Sequence, residues 1–354
     1  MKYPEILRFD DALPRLEQFD TIIDVRSPSE FALDHLPGAI NCPVLDDEQR
    51  IQVGTMYKQV NAFEAKKVGA ALVARNIAQH IETQFLDKPR DWKPLVYCWR
   101  GGNRSGSLAH ILAKIGWPVA QLDGGYKAFR NYVNGALEQA PALSFRVICG
   151  TTGSGKSRLL EVLDADGAQV LDLEQLAAHR GSVLGNLPSQ PQPSQKAFET
   201  MVWDRLRKFD PTRPVFVESE SKKVGQLRVP AALMDTMRAS PCISLTLSRA
   251  NRVRLLMEDY AHFTQNPATL NTQLDCLVSL HGHEKIKRWH ELANSGQMEL
   301  LVEELLAEHY DPAYLRSIDR NFVQFDKAEV LDLEDITPAA FLAAARRLQA
   351  PSQA

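Results

Sequence analysis

Cysteine is scarce in this chain and irregularly placed, at positions 42, 98, 149, 242 and 276. An odd count with no Cys-x-x-Cys pair supplies neither a disulfide framework nor a zinc ligand set. Long apolar runs are missing: none approaches the roughly 20 residues that a membrane-spanning helix needs. Residues 1–11 are acidic and lack the apolar centre of a secretion signal. A cytoplasmic protein with no membrane partner is the expectation. An excess of either charge is missing as well, with 41 Lys and Arg against 44 Asp and Glu and a formal net charge of −3. No overall field draws the chain to nucleic acid, so any such contact must rest on local clusters. The clusters present are Arg249, Arg252 and Arg254; Lys285, Lys287 and Arg288 beside Trp289; and Lys222 with Lys223. The plain reading of each is a solvated helix face.

At 354 residues the chain is long for one domain, and two are expected. Up to residue 139, strand and helix patterns alternate. Strands are predicted at 21–25, 94–97 and 119–122. Helices are predicted from Ser27-Pro28-Ser29-Glu30 onward, at 62–85, 104–115 and 126–138. Residues 140–144 read as a linker. A second α/β unit, 140–354, then opens with a strand at 145–149 and a helix at 156–163. Further strands are expected at 168–173, 214–218 and 242–247, with a Pro/Gln/Ser-rich loop at 188–195. Residues 249–315 read as mostly helical and basic, and the tail after Leu348 as frayed. The fold class is α/β: a parallel-sheet domain, then a phosphate-loop (P-loop) NTPase-like domain with a helical, basic C-terminal region.

Two loops carry the chemistry. The first is Cys98-Trp99-Arg100-Gly101-Gly102-Asn103-Arg104-Ser105, between a buried-type strand and a helix. Free N–H groups from Gly101 to Ser105 can curl around the sulfur, because glycine lets the backbone come close. Arg100 and Arg104 add positive charge, and all three effects favour thiolate over thiol. Such a cradle suits an oxyanion, or sulfur or selenium carried as a persulfide or perselenide. Cys98 is therefore the candidate nucleophile, and Cys42, Cys149, Cys242 and Cys276 read as structural. Asp24 and Arg26, two apart on one strand face, read as a structural pair.

The second loop, Gly150-Thr151-Thr152-Gly153-Ser154-Gly155-Lys156-Ser157, fits the phosphate-loop pattern at every defined position, between an apolar strand and a helix. Its N–H groups form an anion nest, Lys156 adds a point charge, and Ser157 can ligate Mg²⁺. ATP or GTP is the default ligand. Asp172 and Glu218 end apolar strands and are the candidates for ordering a metal. Glu174, His179 and Arg180 follow Asp172, and Glu220 follows Glu218, in segments more polar than loop filler.

The N-terminal half resembles the rhodanese (sulfurtransferase) family. The resemblance lies in Ile23-Asp24-Val25-Arg26, in His35-Leu36-Pro37-Gly38-Ala39-Ile40-Asn41, in the Cys98 loop and in Leu122-Asp123-Gly124-Gly125-Tyr126. One departure is the CX5R spacing from Cys98 to Arg104, one residue longer than the usual rhodanese loop. That length is similar to the rhodanese-fold phosphatases, although Tyr97 stands where they usually have His. A loop of this width would suit a phosphate-bearing donor such as selenophosphate.

The whole chain resembles the tRNA 2-selenouridine synthase family. The residues that carry this are Val53-Gly54-Thr55-Met56-Tyr57-Lys58-Gln59, both loops, Gly124-Gly125-Tyr126-Lys127-Ala128, residues 172–182, Val217-Glu218-Ser219-Glu220-Ser221 and His309-Tyr310-Asp311-Pro312-Ala313-Tyr314. The resemblance implies no tightly bound cofactor and two steps on the wobble 2-thiouridine of tRNA. Geranyl diphosphate first alkylates the sulfur, and selenium from selenophosphate then replaces the geranylthio group, with Cys98 as the chalcogen carrier. On this reading the phosphate loop grips the diphosphate, with Mg²⁺ as a candidate helper. The basic clusters would hold tRNA phosphates, and Trp289 or Tyr260 would stack on an unstacked base. The alternatives are a nucleotide-dependent kinase or ATPase with a sulfurtransferase module, a CX5R phosphatase, and a tRNA-binding scaffold without enzymatic activity.

Overall fold

The computed structural model describes residues 3–182, 184–187, 190–261, 263 and 267–350. Residues 188 and 189 of the expected loop, and 351–354 of the expected tail, lie outside the described residues. Backbone packing divides the chain into two compact units, 1–136 with 199–201 and 137–198 with 202–354.

In the first unit five strands form a parallel sheet. They are β1 (Glu5–Leu7), β2 (Thr21–Asp24), β3 (Ala39–Asn41), β4 (Pro94–Tyr97) and β5 (Ala120–Leu122), in the order β1-β5-β4-β2-β3. Every residue of β4 is buried, as a central strand covered on both faces requires. Helix Pro28–Leu33 starts as its sequence predicts. Ser27 and Glu30 form a capping box, and Pro28 sits in the first turn, where its missing N–H is harmless. Helix Ala62–His80 continues into a π turn, Ile81–Phe85. Not anticipated were β1, only three residues long, the short helical turns Phe9–Ala12 and Leu13–Gln18, and helix Asp47–Gln59, which buries no residue and so shows no apolar period. The core gathers Ile23, Val96, Leu108, Leu112 and Trp92. Because β4 is the middle strand, Cys98 emerges at the centre of the sheet's C-terminal edge, where ligands of open parallel sheets bind.

The second unit repeats that plan. Its strands β6 (Phe145–Cys149), β7 (Gln169–Leu171), β8 (Val215–Glu218), β11 (Cys242–Leu247) and β12 (Glu329–Leu333) run parallel in the order β12-β11-β6-β8-β7. A small antiparallel hairpin joins β9 (Lys223–Val224) and β10 (Leu227–Arg228). Alternation along β6 feeds two cores: Phe145, Val147 and Cys149 on one face, and Ile148 with Leu159, Leu160 and Leu163 on the other. The strand expected at 168–173 ends earlier, because Asp172 turns to cap helix Leu173–Leu176 and accepts the Gln175 N–H at 2.7 Å. Strand β12 was not anticipated. The helical region, including Arg249–Asp259, His283–Asn294, Met298–Leu305 and Asp311–Asn321, holds its own apolar cluster around Trp289, Leu274 and Leu301. Among the described residues no helix is long and apolar enough to cross a membrane.

Candidate functional site

The Cys98 loop is built by contacts from both sides. Tyr126 N–H donates to Cys98 O at 2.8 Å and Lys127 N–H to Trp99 O at 2.9 Å, so the start of helix Gly125–Leu137 clamps the loop. Gly125 is required there: its φ is +52°, and a Cβ would lie 2.3 Å from Cys98 O. Ser105, in the first turn of helix Asn103–Ile115, accepts from Gln121 Nε2 at 3.1 Å and turns its hydroxyl to Cys98 Sγ at 3.4 Å. The sulfur therefore sits beside the first turn of that helix. Tyr97, in the position of the phosphatase His, is buried, and its hydroxyl accepts the Leu36 N–H at 3.1 Å. Asp24 and Arg26 form a buried pair at 2.6 Å beside the loop.

Arg104 departs from expectation. Its guanidinium reaches Glu30 at 2.8 and 3.4 Å, and Arg50 adds a second contact to the same carboxylate at 3.1 Å. Burial works to raise the Glu30 carboxyl, but Arg104 outweighs it and holds the group below its usual range. The charge counted toward the cradle is thus balanced by Glu30. Arg100, by contrast, is exposed.

The phosphate loop follows the central strand β6. Lys156 Nζ folds back to donate to Gly150 O at 2.7 Å and lies 5.7 Å from the Tyr314 ring centre. Gly150 N–H donates to Tyr314 Oη at 2.5 Å. Arg252 donates to Thr152 O at 2.7 and 2.9 Å and to Asp311 at 2.5 and 3.0 Å. So the segment His309 to Tyr314 braces the loop through Asp311 and Tyr314, a role sequence reading missed.

Four carboxylates, Asp172, Glu174, Glu218 and Glu220, gather near one another, and Lys156 acts on Glu174 and Glu220. Glu218 Oε1 accepts the Glu174 N–H at 2.9 Å, and Ser157 Oγ donates to Glu174 Oε2 at 3.0 Å. Gly181, with φ +63°, packs so tightly that a Cβ would lie 2.3 Å from Glu174 Oε1 and 2.8 Å from Glu220 Oε1. Burial pushes Asp172 up to about 6. Burial, then repulsion from Glu220, pushes Glu174 up to about 8. Glu218 and Glu220 are raised too, by burial first. Glu218 Oε2 and Ser154 Oγ are buried without a partner. Among the described residues no three His, Cys, Asp or Glu are placed to hold a metal ion. Mg²⁺ takes few protein ligands beside phosphate and water, and the oxygen pair Ser157–Glu174 fits that sparse share. His179 is buried, its Nδ1 accepts the Gly181 N–H at 3.1 Å, and burial lowers its pKa. Arg180 binds Asp259 O and lies 4.7 Å from the Tyr260 ring centre.

Two neighbouring cavities lie here. A polar one of about 460 Å³ is lined by Lys156, Ser157, Glu174, His179, Arg180 and Glu220, among others. An apolar one of about 50 Å³ is lined by Leu256, Met257, Phe263, Leu301, Leu305 and Leu306, among others. Thr152, Ser182, Leu256 and Tyr260 line both.

Several expected nucleic-acid contacts face elsewhere. Trp289 is 0% exposed, with Nε1 donating to Glu304 at 3.1 Å, so it is core and stacks on no base. Arg252 is buried behind the phosphate loop. Lys285 pairs with Glu308 at 2.7 Å and Arg288 pairs with Glu304. Tyr260 is half-buried and stacks on Phe263 at 5.8 Å.

Two parallel sheets, each with a glycine-rich loop after its central strand, define a rhodanese-like module followed by a P-loop module. Residues 9–132 match the rhodanese-like domain, and residues 143–287 match the tRNA 2-selenouridine synthase AAA domain. The chain is 32% identical over 361 residues to tRNA 2-selenouridine synthase of Alcanivorax borkumensis, spanning 91% of this chain and 98% of that one. It is 37% identical over 268 residues to the Nitrosomonas europaea synthase, covering 73% and 68%. It is 32% identical over 350 residues to the Sulfurovum sp. synthase, covering 88% and 94%. The chain belongs to the tRNA 2-selenouridine synthase family.

Proposed function

We propose that this enzyme converts wobble 2-thiouridine in tRNA to 2-selenouridine through an S-geranyl intermediate, using geranyl diphosphate and then selenophosphate. The observation that carries the first step is a pair of neighbouring cavities that share four lining residues. A polar cavity at the phosphate loop beside an apolar one suits the two ends of an allylic diphosphate. Lys156 and the loop N–H groups would bind the diphosphate and neutralise it as it leaves. The allyl carbon bonds to the thiocarbonyl sulfur, and the base N3 proton is released. Bound Mg²⁺, held by Ser157 and Glu174, would add charge at the same phosphate oxygens.

Alkylation turns a poor leaving group into a thiol and makes C2 more electrophilic. Cys98 would carry the second step. Its loop, wide enough for a tetrahedral oxyanion, receives selenophosphate; the selenium bonds to C2 as the C2–S bond breaks, the geranylthiolate takes a proton and leaves as geranylthiol, and water then cleaves the Se–P bond to release phosphate.

The test is nucleoside analysis of a 2-thiouridine anticodon stem-loop treated with the full chain. Geranyl diphosphate alone should yield S-geranyl-2-thiouridine, and added selenophosphate should convert it to 2-selenouridine. Cys98→Ser should stop at the geranylated nucleoside, and Lys156→Ala should block its formation. Rapid ATP turnover with no response to geranyl diphosphate would support the kinase alternative instead.

A further inference from the structure

Trp99 follows the candidate nucleophile directly and stands apart from the other tryptophans. It is 41% exposed, whereas Trp92, Trp117, Trp203 and Trp289 are all buried. An exposed indole is ordinarily free to turn, but this one is fixed. Its ring stacks on Tyr126 with centroids 5.4 Å apart and planes 27° from parallel. Its carbonyl accepts the Lys127 N–H at 2.9 Å. Tyr126 is buried, donates its hydroxyl to Asp34 at 2.7 Å, and lies over the Arg26 guanidinium at 3.9 Å. Arg26 is locked in turn by Asp24 at 2.6 Å. The result is a column of three flat groups, Arg26, Tyr126 and Trp99, anchored in the core and ending in solvent one residue from Cys98.

We infer that Trp99 is a stacking platform for the pyrimidine base whose C2 is presented to Cys98. Bases of unpaired RNA loops are splayed out and stacked on aromatic side chains, and a ring with a fixed orientation binds one at low entropic cost. The exposed Arg100 lies next in the chain, placed to meet the accompanying backbone phosphate. The platform takes the role that Trp289 and Tyr260 were expected to fill. It rests on the proposed tRNA substrate.

The experiment uses the full chain and an anticodon stem-loop with 2-thiouridine or S-geranyl-2-thiouridine at the wobble position. Because Trp99 is the one exposed tryptophan, the RNA should quench its share of the emission, and Trp99→Ala should remove that change. Trp99→Ala should weaken binding and raise KM for the S-geranyl RNA roughly tenfold or more, as loss of one base stack does. Trp99→Phe should recover most of it, and melting temperature should hold in both variants. Wild-type binding with unaltered Trp99 emission, or a Trp99→Ala KM equal to wild type, would overturn the platform alone. A wild-type chain that does not bind this RNA would overturn the tRNA reading and the platform with it.

Discussion

The Tyr314 hydroxyl accepts the Gly150 N–H at 2.5 Å, across 164 residues of chain. The first amide of the phosphate loop is therefore spent on the protein, and the tyrosine sets where the nest begins. Tyr314→Phe would leave that part-buried N–H without a partner. The expected loss is about 1–3 kcal/mol of stability, with weaker geranyl diphosphate binding. Thermal unfolding and calorimetric titration read the two effects, and unchanged values in both would reject the bracing role.

Arg252 belongs to the loop rather than to an RNA surface, since its donors go to Thr152 O and Asp311. Arg252→Ala breaks a part-buried pair and removes both donors to Thr152 O, which should cost about 1.5–3 kcal/mol. Diphosphate binding should fall with it. The salt dependence of RNA affinity should not change, whereas loss of a phosphate contact would reduce its slope by about one.

Gly125→Ala sets a side chain against Cys98 O in a left-handed backbone. Strain and overpacking together should cost about 3 kcal/mol. Selenation should suffer more than geranylation, because the displaced strand end carries Cys98. A nucleoside assay that finds both steps equally affected would count against the separate use of the two loops.

The pH dependence should report Glu174. Without Mg²⁺ its carboxyl, pushed up to about 8 from an ordinary 4.5, is mostly neutral at pH 7 and spares a bound diphosphate like-charge repulsion. In Mg²⁺-free buffer, Kd for geranyl diphosphate should rise as pH passes about 8 in the wild type and stay flatter in Glu174→Gln. Stability follows the same sign. Because the folded pKa is raised, the group's contribution is fully present below about 4.5 and is lost as pH rises through about 8. Glu174→Gln should therefore melt higher than wild type at pH 9. No difference there would show that the carboxyl ionises freely.

Local features were legible and distant ones were not. The Ser27–Glu30 capping box, strand β4 and both anion loops are contiguous patterns, and each appears where its residues predicted. Helix Asp47–Gln59 escaped because its residues are not buried, which removes the period that betrays a helix. Strand β12 escaped because Glu329–Leu333 offers only Leu331 and Leu333 to the core, too short an alternation to stand out. The segment from His309 to Tyr314 looked arbitrary because its partners, Arg252 and Gly150, are remote in sequence.

The sequence by itself determined where the two glycine-rich loops of this protein lie. Each joins a buried central strand to the helix that follows, so a contiguous pattern specifies its place. Tertiary structure decided which side chains serve those loops. It turned Arg104 to Glu30, Arg252 to Asp311 and Trp289 into the core, left Trp99 in solvent, and crowded Glu174 against Glu220. Charge, exposure and protonation depend on neighbours brought together from distant parts of the chain, and no local pattern encodes them.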